Sequence, residues 1–110
     1  MTNKLKPKFS CPITYTLSVV GGKWKWAVLY MIFRDKVIRY GQLKDNLPAI
    51  AHKTLSQQLK ELEQCELIHR EQYNQVPPKV EYSLTAKGET LIPILELMSQ
   101  WGQKNMVKQP

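Results

Sequence analysis

The sequence predicts an α+β domain that is mainly helical and carries one small β-hairpin. Apolar residues recur at helical spacing through most of the chain, whereas residues 79–84 alternate polar and apolar side chains as a strand does, and residues 67–73 are predicted to be its partner strand. Between these segments lie two consecutive prolines, Pro77 and Pro78. Because prolines have no backbone N–H, they cannot join a strand ladder, and they indicate the stiff turn of a hairpin.

The predicted elements fill one domain. With 110 residues, the chain is long enough for one hydrophobic core but not for two. We expect residues 1–10 to be a mobile basic arm, residues 11–104 to form the domain, and residues 105–110 to be a tail.

The first predicted helix begins at Pro12, which suits the first position of a helix, and ends at the glycine pair 21–22. Its apolar residues follow at helical spacing: Ile13, Leu17 and Val20. Residues 24–33, WKWAVLYMIF, are apolar on nearly every side, which predicts a helix buried in the centre of the domain. Trp24 and Trp26 are expected to pack in that core or between helices rather than to stack on nucleic-acid bases, because their neighbours are aliphatic.

A short strand and two further helices are predicted between residues 37 and 64. Residues 37–39 form the strand, and Tyr40–Leu47 forms a brief helix that stops at Pro48. Residues 51–64 form the clearest helix, with three leucines on one narrow face: Leu55, Leu59 and Leu62. The opposite face is cationic and polar: Lys53, Ser56, Gln57 and Lys60. A short helix, a tight turn and a polar-faced helix make a helix-turn-helix, and the hairpin after it makes a wing.

The last predicted helix has more apolar surface than its own domain needs. Thr85 can cap this helix, which is expected to run to about Lys104 with a bend at Pro93. Its apolar residues lie on more than one face: Leu91, Ile92, Ile94, Leu95, Leu97, Met98 and Trp101. A terminal helix of this kind usually packs against something besides its own domain.

Positive charge is concentrated in the first half of the chain. Residues 1–60 contain 11 Lys and Arg residues and two acids, whereas residues 61–110 contain five Lys and Arg residues and seven acids. This asymmetry indicates a polyanionic partner for the N-terminal half. A basic surface that only aids solubility explains the charge equally well.

Several other classes of function find no support in the sequence. No apolar run approaches the roughly 20 residues that span a bilayer, and residues 1–10 lack the apolar stretch of a signal peptide, so a cytoplasmic protein is expected. Cys11 and Cys65 are far apart, and neither histidine, His52 or His69, has metal-ligand spacing to them. The chain also lacks a Gly-rich phosphate loop and any local catalytic signature. We therefore expect no metal, no cofactor and no enzymatic activity.

On these residues the chain resembles the HxlR-type winged helix-turn-helix transcriptional regulators, which are relatives of the MarR group. The resemblance covers about residues 11–102 and rests on four segments: CPITYTLSVVGGKWKW, IRYGQLKDNLPAIAHKTLSQQLKELE, LIHREQYNQVPPKVEYSLTAKG and SQWG. It implies a homodimer, formed through the first and last helices, that binds a pseudo-palindromic operator in double-stranded DNA. It also implies that helix 51–64 enters the major groove and that the wing, residues 74–79, reaches the minor groove or the backbone.

The candidate DNA contacts lie on the helix-turn-helix and at the wing: Arg39, Lys44, His52, Lys53, Thr54, Ser56, Gln57, Lys60 and Lys79. Cationic side chains suit phosphates, whereas Ser56 and Gln57 suit base edges, since a glutamine can form two hydrogen bonds with adenine. For Arg70, a DNA contact and a pair with Glu81 across the hairpin are both open. The alternative is a winged-helix protein-interaction module without DNA binding, whose affinity would depend only weakly on salt.

Three sites, at residues 51–52, 41 and 65, depart from the pattern that the resemblance implies. Ala51 and His52 stand where a serine commonly opens the recognition helix, and Gly41 stands where a small polar cap is usual. Cys65 stands at the turn after the recognition helix, where a glycine is typical. Cys65 is therefore expected at a left-handed backbone position, with some cost in strain.

Cys11 has a chemical option outside DNA binding. It lies just before Pro12 at the start of the first helix, where the helix dipole can lower the pKa of a thiol. The resemblance implies a redox sensor here, because members of the family include sensors of oxidants and electrophiles that use an N-terminal cysteine. The alternative is a small, half-buried residue without a signalling role.

Overall fold

The computed structural model describes residues 11–107, which form a mainly helical fold with one small sheet. The helices are α1 (Pro12–Val20), α2 (Lys25–Asp35), α3 (Tyr40–Asn46), α4 (His52–Gln64), α5 (Ala86–Glu89) and α6 (Ile92–Asn105). The strands are β1 (Ile38–Arg39), β2 (Ile68–Tyr73) and β3 (Lys79–Leu84). This order confirms the predicted α+β class, with a helix-turn-helix followed by a hairpin. The expected basic arm, residues 1–10, lies outside the described residues, so its mobility stays a prediction.

The strands form one antiparallel sheet in the order β1-β3-β2. β2 and β3 pair along their whole length, from Ile68 opposite Leu84 to Tyr73 opposite Lys79. The connection therefore spans residues 74–78, as the two prolines predict. This hairpin is the wing.

The register of the hairpin overturns one of the two options for Arg70. Arg70 lies opposite Tyr82, and Glu81 lies opposite Glu71. Because opposite residues share a face of the sheet and successive residues alternate, Arg70 and Glu81 lie on opposite faces. An ion pair between them, one of the two options that the sequence left open, is therefore excluded. Arg70 Nη1 instead donates to Gln72 Oε1 at 3.3 Å.

The core is built against one side of α2. Three residues of α2 are fully buried: Val28, Leu29 and Ile32. They pack with buried leucines and isoleucines of the other elements: Ile38, Leu43, Ile50, Leu55 and Leu62. Trp24 packs against this core, as predicted. The prediction that α2 is buried on every side is wrong, because Trp26 and Tyr30 are 49% and 42% exposed. These two residues are four positions apart, so one side of the helix reaches the surface.

The turn after α4 places its left-handed residue one position later than expected. The backbone N–H of Leu67 donates to the carbonyl of Leu62 at 3.0 Å, and that of Glu66 donates to Glu63 at 2.9 Å. This pair of bonds is the Schellman motif, which requires a left-handed residue just beyond the helix. Glu66 supplies it with φ 61°, whereas Cys65 has φ −82°, so the expected strain at Cys65 is wrong.

The predicted last helix is divided in two. Thr85 caps α5, where its Oγ1 accepts from the backbone N–H of Gly88 at 3.0 Å. However, α5 ends at Glu89 and α6 begins only at Ile92. Pro93 lies in the first turn of α6, where a missing N–H costs no helical hydrogen bond. The expected bend inside one long helix is therefore wrong, because Pro93 helps to start the second helix.

Three hydrogen bonds fasten α5 to the turn that follows α4. Thr85 Oγ1 donates to the carbonyl of Glu66 at 2.7 Å, and the backbone N–H of Thr85 donates to the carbonyl of Leu67 at 3.1 Å. Lys87 Nζ donates to the carbonyl of Cys65 at 3.0 Å. The segment that leads into α6 is thus attached to the C-terminal end of α4.

Apolar side chains are exposed on both terminal helices, as predicted for the last one. On α6, Leu97 and Trp101 are 64% and 70% exposed. On α1, Ile13 and Leu17 are exposed as well. Within residues 11–107, no helix is long and apolar enough to cross a membrane.

Replacing Glu66 by glycine is expected to raise the free energy of unfolding by up to about 1 kcal/mol, because a left-handed backbone is costly for a residue with a β-carbon. Gln64→Gly is the matched control, since Gln64 is helical and the same change there should lower the free energy of unfolding by about 1 kcal/mol. Urea unfolding followed by circular dichroism gives both values. Equal destabilisation by the two substitutions would contradict the left-handed assignment.

Candidate nucleic-acid interface

The turn between α3 and α4 orients α4 with one face on the core. Ile50 is buried, and its backbone N–H donates to the carbonyl of Leu47 at 3.1 Å. Three leucines then hold α4 against the core: Leu55, Leu59 and Leu62. Since this leucine face is buried, the side chains on the opposite face of α4 point to solvent. The predicted amphipathic helix is confirmed.

The outer side of α4 brings together four of the sequence-predicted contact residues, all exposed: Lys53, Ser56, Gln57 and Lys60. We call these four residues the polar face of α4. Thr54, also predicted as a contact, is half-buried on the flank of the helix. The polar face offers two ammonium groups, a hydroxyl and an amide, which are groups that suit phosphates and base edges.

The N-terminal end of α4 is held by Tyr40, a residue without a functional signal in the sequence. Ala51 is the residue before the helix, and because its side chain cannot accept a hydrogen bond, no side chain caps α4. Instead, the Tyr40 ring stacks on the His52 ring with centroids 5.8 Å apart, and Tyr40 Oη lies 2.9 Å from His52 Nδ1. The same hydroxyl donates to the carbonyl of His52 at 3.2 Å. His52 is therefore exposed but fixed in position.

Of two predicted phosphate contacts, Arg39 lies directly before α3 and Lys44 lies in its last turn. The backbone N–H of Arg39 donates to Gln42 Oε1 at 2.9 Å, so Gln42 caps α3 even though Gly41 does not. Lys44 is half-buried, and its Nζ donates to the carbonyl of Pro48 at 3.2 Å. Lys44 thus stabilises the turn of the helix-turn-helix, and Arg39 is the more exposed of the two cations.

The cation of the wing, Lys79, lies beside the tip and not within it. Residues 74–78 form the exposed tip, which contains no charged residue, and Val76 within it is 99% exposed. Lys79 begins β3, with its Nζ 4.6 Å from the centroid of the Tyr73 ring and 3.6 Å from Glu81 Oε2. A hydrogen bond with Glu81 raises the pKa of Tyr73. Lys79 therefore braces the two strands where they meet the tip.

Arg70 adds a cation beside the polar face of α4. Arg70 lies on the face of the sheet opposite to Glu81 and lines a groove between α4 and the hairpin. The other polar residues of this groove include Tyr40, Ser56, Lys60 and Glu63. Strand periodicity alone did not reveal this neighbourhood, because it depends on how the sheet packs on the helix.

Glu61 connects the polar face of α4 to α2. Its Oε2 accepts from Gln57 Nε2 at 2.9 Å, and its Oε1 lies 3.0 Å from Lys25 Nζ. The hydrogen bond from Gln57 and the contact with the Lys25 ammonium lower the pKa of Glu61. The spacing of Gln57 and Glu61, four positions on a helix, is a visible sequence signal. Nothing in the sequence indicates Lys25 as their partner.

The two cysteines are free thiols in different surroundings. Cys11 is exposed at the N-terminal end of α1, so the half-burial expected in the alternative is wrong, whereas its signalling role stays a prediction. The backbone N–H and the hydroxyl of Thr14, together with the backbone N–H of Ile13, lower the pKa of the Cys11 thiol. Cys65 is half-buried at the C-terminal end of α4. Across the described part of the chain, no group of three or more His, Cys, Asp or Glu residues is placed to hold a metal ion.

A helix-turn-helix with a polar outer face, followed directly by a β-hairpin, defines a winged helix-turn-helix protein. A family model described as HxlR-like helix-turn-helix matches residues 19–110. The chain belongs to this family, and the resemblance inferred from its motifs is confirmed.

Similar proteins and structures agree with this assignment. The chain is 53% identical over 102 residues to an HTH-type transcriptional regulator of Halalkalibacterium halodurans, a match that covers 93% of this chain and 90% of that protein. The structure of the redox regulator HypR in its oxidized form matches with a TM-score of 0.81 and 46% identity, over 89% of this chain and all of that one. The reduced form of the transcriptional regulator YodB from Bacillus subtilis matches with a TM-score of 0.81 and 29% identity, over 93% of this chain and all of that one.

These relatives are transcriptional regulators and not enzymes. The protein is therefore a helix-turn-helix transcriptional regulator, as the sequence predicted.

Proposed function

We propose that the protein is a homodimer that binds a pseudo-palindromic operator in double-stranded DNA, with α4 in the major groove and the wing at the minor groove or backbone. The observation that carries this proposal is the polar face of α4, which is exposed on a helix whose other side is fixed to the core by Leu55, Leu59 and Leu62. In a twofold dimer, two such helices meet half-sites that lie about 10 base pairs apart or a multiple of that spacing.

Each group of the interface has a distinct task. Lys53 and Lys60 bind phosphates, and Ser56 and Gln57 contact base edges, since hydroxyl and amide groups suit the hydrogen-bonding pattern of the major groove. Arg70 binds the backbone from the groove that it shares with Lys60. The remaining predicted contacts surround this centre: Arg39, Lys44, His52, Thr54 and Lys79. Of these, Lys44 and Lys79 also hold their own segments together through protein contacts.

The dimer forms through α1 and α6. A groove with a volume of about 390 Å³ lies between these helices, and its mostly apolar lining includes Leu17, Trp26 and Met98. Leu97 and Trp101 are exposed on α6. Exposed apolar surface of this kind is unfavourable in water, and a twofold partner offers the same surface in return.

The alternative is a winged helix that binds a protein partner and no DNA. Such a module has no need of two lysines and an arginine beside its recognition helix, and its affinity would respond weakly to salt. The salt dependence of duplex binding separates the two functions.

We also propose that Cys11 reacts with oxidants or small electrophiles and that this reaction changes DNA binding. Its thiol is exposed and its pKa is lowered, so more of it is the reactive thiolate near neutral pH. Cys11 lies directly before α1, a helix of the proposed dimer contact. HypR, whose structure is similar, is a redox regulator.

Lys60→Ala is expected to weaken binding to every duplex sequence and to lower the slope of log affinity against log salt by about one unit per subunit, because one phosphate contact is lost. Lys104→Ala is the matched control, since Lys104 is an exposed lysine on α6. Fluorescence anisotropy with labelled duplexes between low and moderate salt measures both slopes. Equal slopes for Lys60→Ala and the unmodified protein would exclude the phosphate contact, and absence of duplex binding at low salt would favour the protein-interaction module.

Leu97→Glu is expected to convert the dimer to a folded monomer, because it places a charge in the centre of an apolar contact. Val37→Glu, at an exposed valine between α2 and β1, is the control and should stay dimeric. Sedimentation velocity gives the mass, and circular dichroism checks folding. A monomeric unmodified protein at micromolar concentration would overturn the dimer.

Thr14→Val is expected to raise the pKa of Cys11 and to slow its alkylation by iodoacetamide at pH 7, because the hydroxyl that stabilises the thiolate is lost. Alkylation of the half-buried Cys65, followed by mass spectrometry, is the internal control. Mild oxidation should change operator affinity in the unmodified protein but not in Cys11→Ser. If the two proteins respond alike, Cys11 is not the sensor.

A further inference from the structure

We propose that Lys25 and Glu61 are positioning residues that fix the amide of Gln57 in one orientation and thereby determine which base it accepts. This inference rests on the proposed DNA binding by α4. It gives a function to the GGKWK segment, residues 21–25, which contains none of the proposed DNA contacts.

The orientation of the Gln57 amide follows from its partner. Gln57 Nε2 donates to Glu61 Oε2 at 2.9 Å, and a carboxylate only accepts hydrogen bonds. The NH₂ group must therefore face Glu61, and the carbonyl oxygen of Gln57 must point away from it. An unrestrained glutamine on a helix surface would instead present either end of its amide.

Glu61 is held in turn by α2. Its second oxygen, Oε1, lies 3.0 Å from Lys25 Nζ, so both carboxylate oxygens have a partner on opposite sides. Lys25 is the first residue of α2, whose buried side forms the core. Gly22, with φ 82°, makes the tight turn that brings Lys25 to this place. The Gln57 amide is thus connected through two side chains to a rigid part of the domain.

The charges of Lys25 and Glu61 affect both the fold and the recognition helix. A lysine in the first turn of a helix is on the unfavourable end of the helix dipole, and the first turn of α2 contains no acid to offset it. Glu61 offsets this charge from α4. Lys25 in return neutralises a carboxylate that would repel phosphates from the recognition helix. The hydrogen bond from Gln57 and the Lys25 ammonium both favour the carboxylate form of Glu61 and lower its pKa.

A fixed amide has a defined preference in the major groove. The outward carbonyl oxygen accepts from the exocyclic N6 amino group of adenine, and the second N–H of Nε2 donates to adenine N7. Guanine presents two acceptors, N7 and O6, so the outward oxygen of Gln57 would face O6 without a hydrogen between them. Lys25 and Glu61 therefore favour adenine and reject guanine at the base pair that Gln57 contacts.

The test compares adenine and guanine at that base pair, which is located as the position where Gln57→Ala loses its preference. The unmodified protein should bind the adenine duplex at least about fivefold more tightly than the guanine duplex. Glu61→Ala and Lys25→Met should reduce this ratio to within about twofold, because the released amide can turn its NH₂ group toward guanine. Lys23→Met, which removes a lysine from the same segment, should leave the ratio unchanged.

A double substitution separates positioning from general destabilisation. If Glu61 acts through Gln57, adding Glu61→Ala to Gln57→Ala should leave the adenine-to-guanine ratio of Gln57→Ala unchanged. If Glu61 only stabilises the fold, Glu61→Ala should weaken binding by the same factor whichever of the four base pairs occupies the tested position. The adenine-to-guanine affinity ratio would then equal that of the unmodified protein. The second result would overturn the proposal.

A measurement without DNA tests the contact itself. In ¹⁵N-labelled protein, the side-chain NH₂ resonances of Gln57 should move in Glu61→Ala and in Lys25→Met, but not in Lys23→Met. Unmoved resonances in Glu61→Ala would overturn the positioning of Gln57. Moved resonances in a protein that binds no duplex would instead locate the failure in the proposed DNA binding.

Discussion

The interface depends on the burial of one face of α4. Leu55, Leu59 and Leu62 are all buried against the core formed by α2 and the sheet. Burial of each such side chain stabilises the fold by about 1.5–3 kcal/mol, which far exceeds the contribution of any single surface contact. This burial fixes the rotation of α4 about its own axis. The side chains that point outward, and therefore the chemistry of the polar face, follow from that rotation.

Local patterns in the sequence were sufficient to predict the positions of most helices and strands. The leucine spacing gave α4 nearly to the residue, because helical periodicity and burial are encoded within one segment. The hairpin was located by Pro77 and Pro78, since a residue without an N–H must interrupt a ladder. The polar face was predictable for the same reason: its members are neighbours on a single helix.

Features that join distant segments were not predictable in this way. Tyr40 with His52, and Lys25 with Glu61, meet only because α2, α3 and α4 pack together. The placement of Arg70 beside α4 depends on a register in which a shift of one residue would exchange the faces of the strand. The exposed side of α2 was missed because an apolar helix alone does not reveal which neighbours will cover it. Trp26 is the clearest case.

The junction between α4 and α5 couples the motion of α6 to that of α4. Hydrogen bonds from Thr85 and Lys87 tie the entrance of α6 to the turn at the end of α4, so no flexible linker separates them. When α6 pivots on its counterpart in the proposed dimer, α4 must swing with it. In that proposed dimer, the crossing angle of the paired α6 helices would therefore set the distance between the two α4 helices. A small change in that angle would then be enough to release the proposed operator while the polar face of α4 keeps its own geometry.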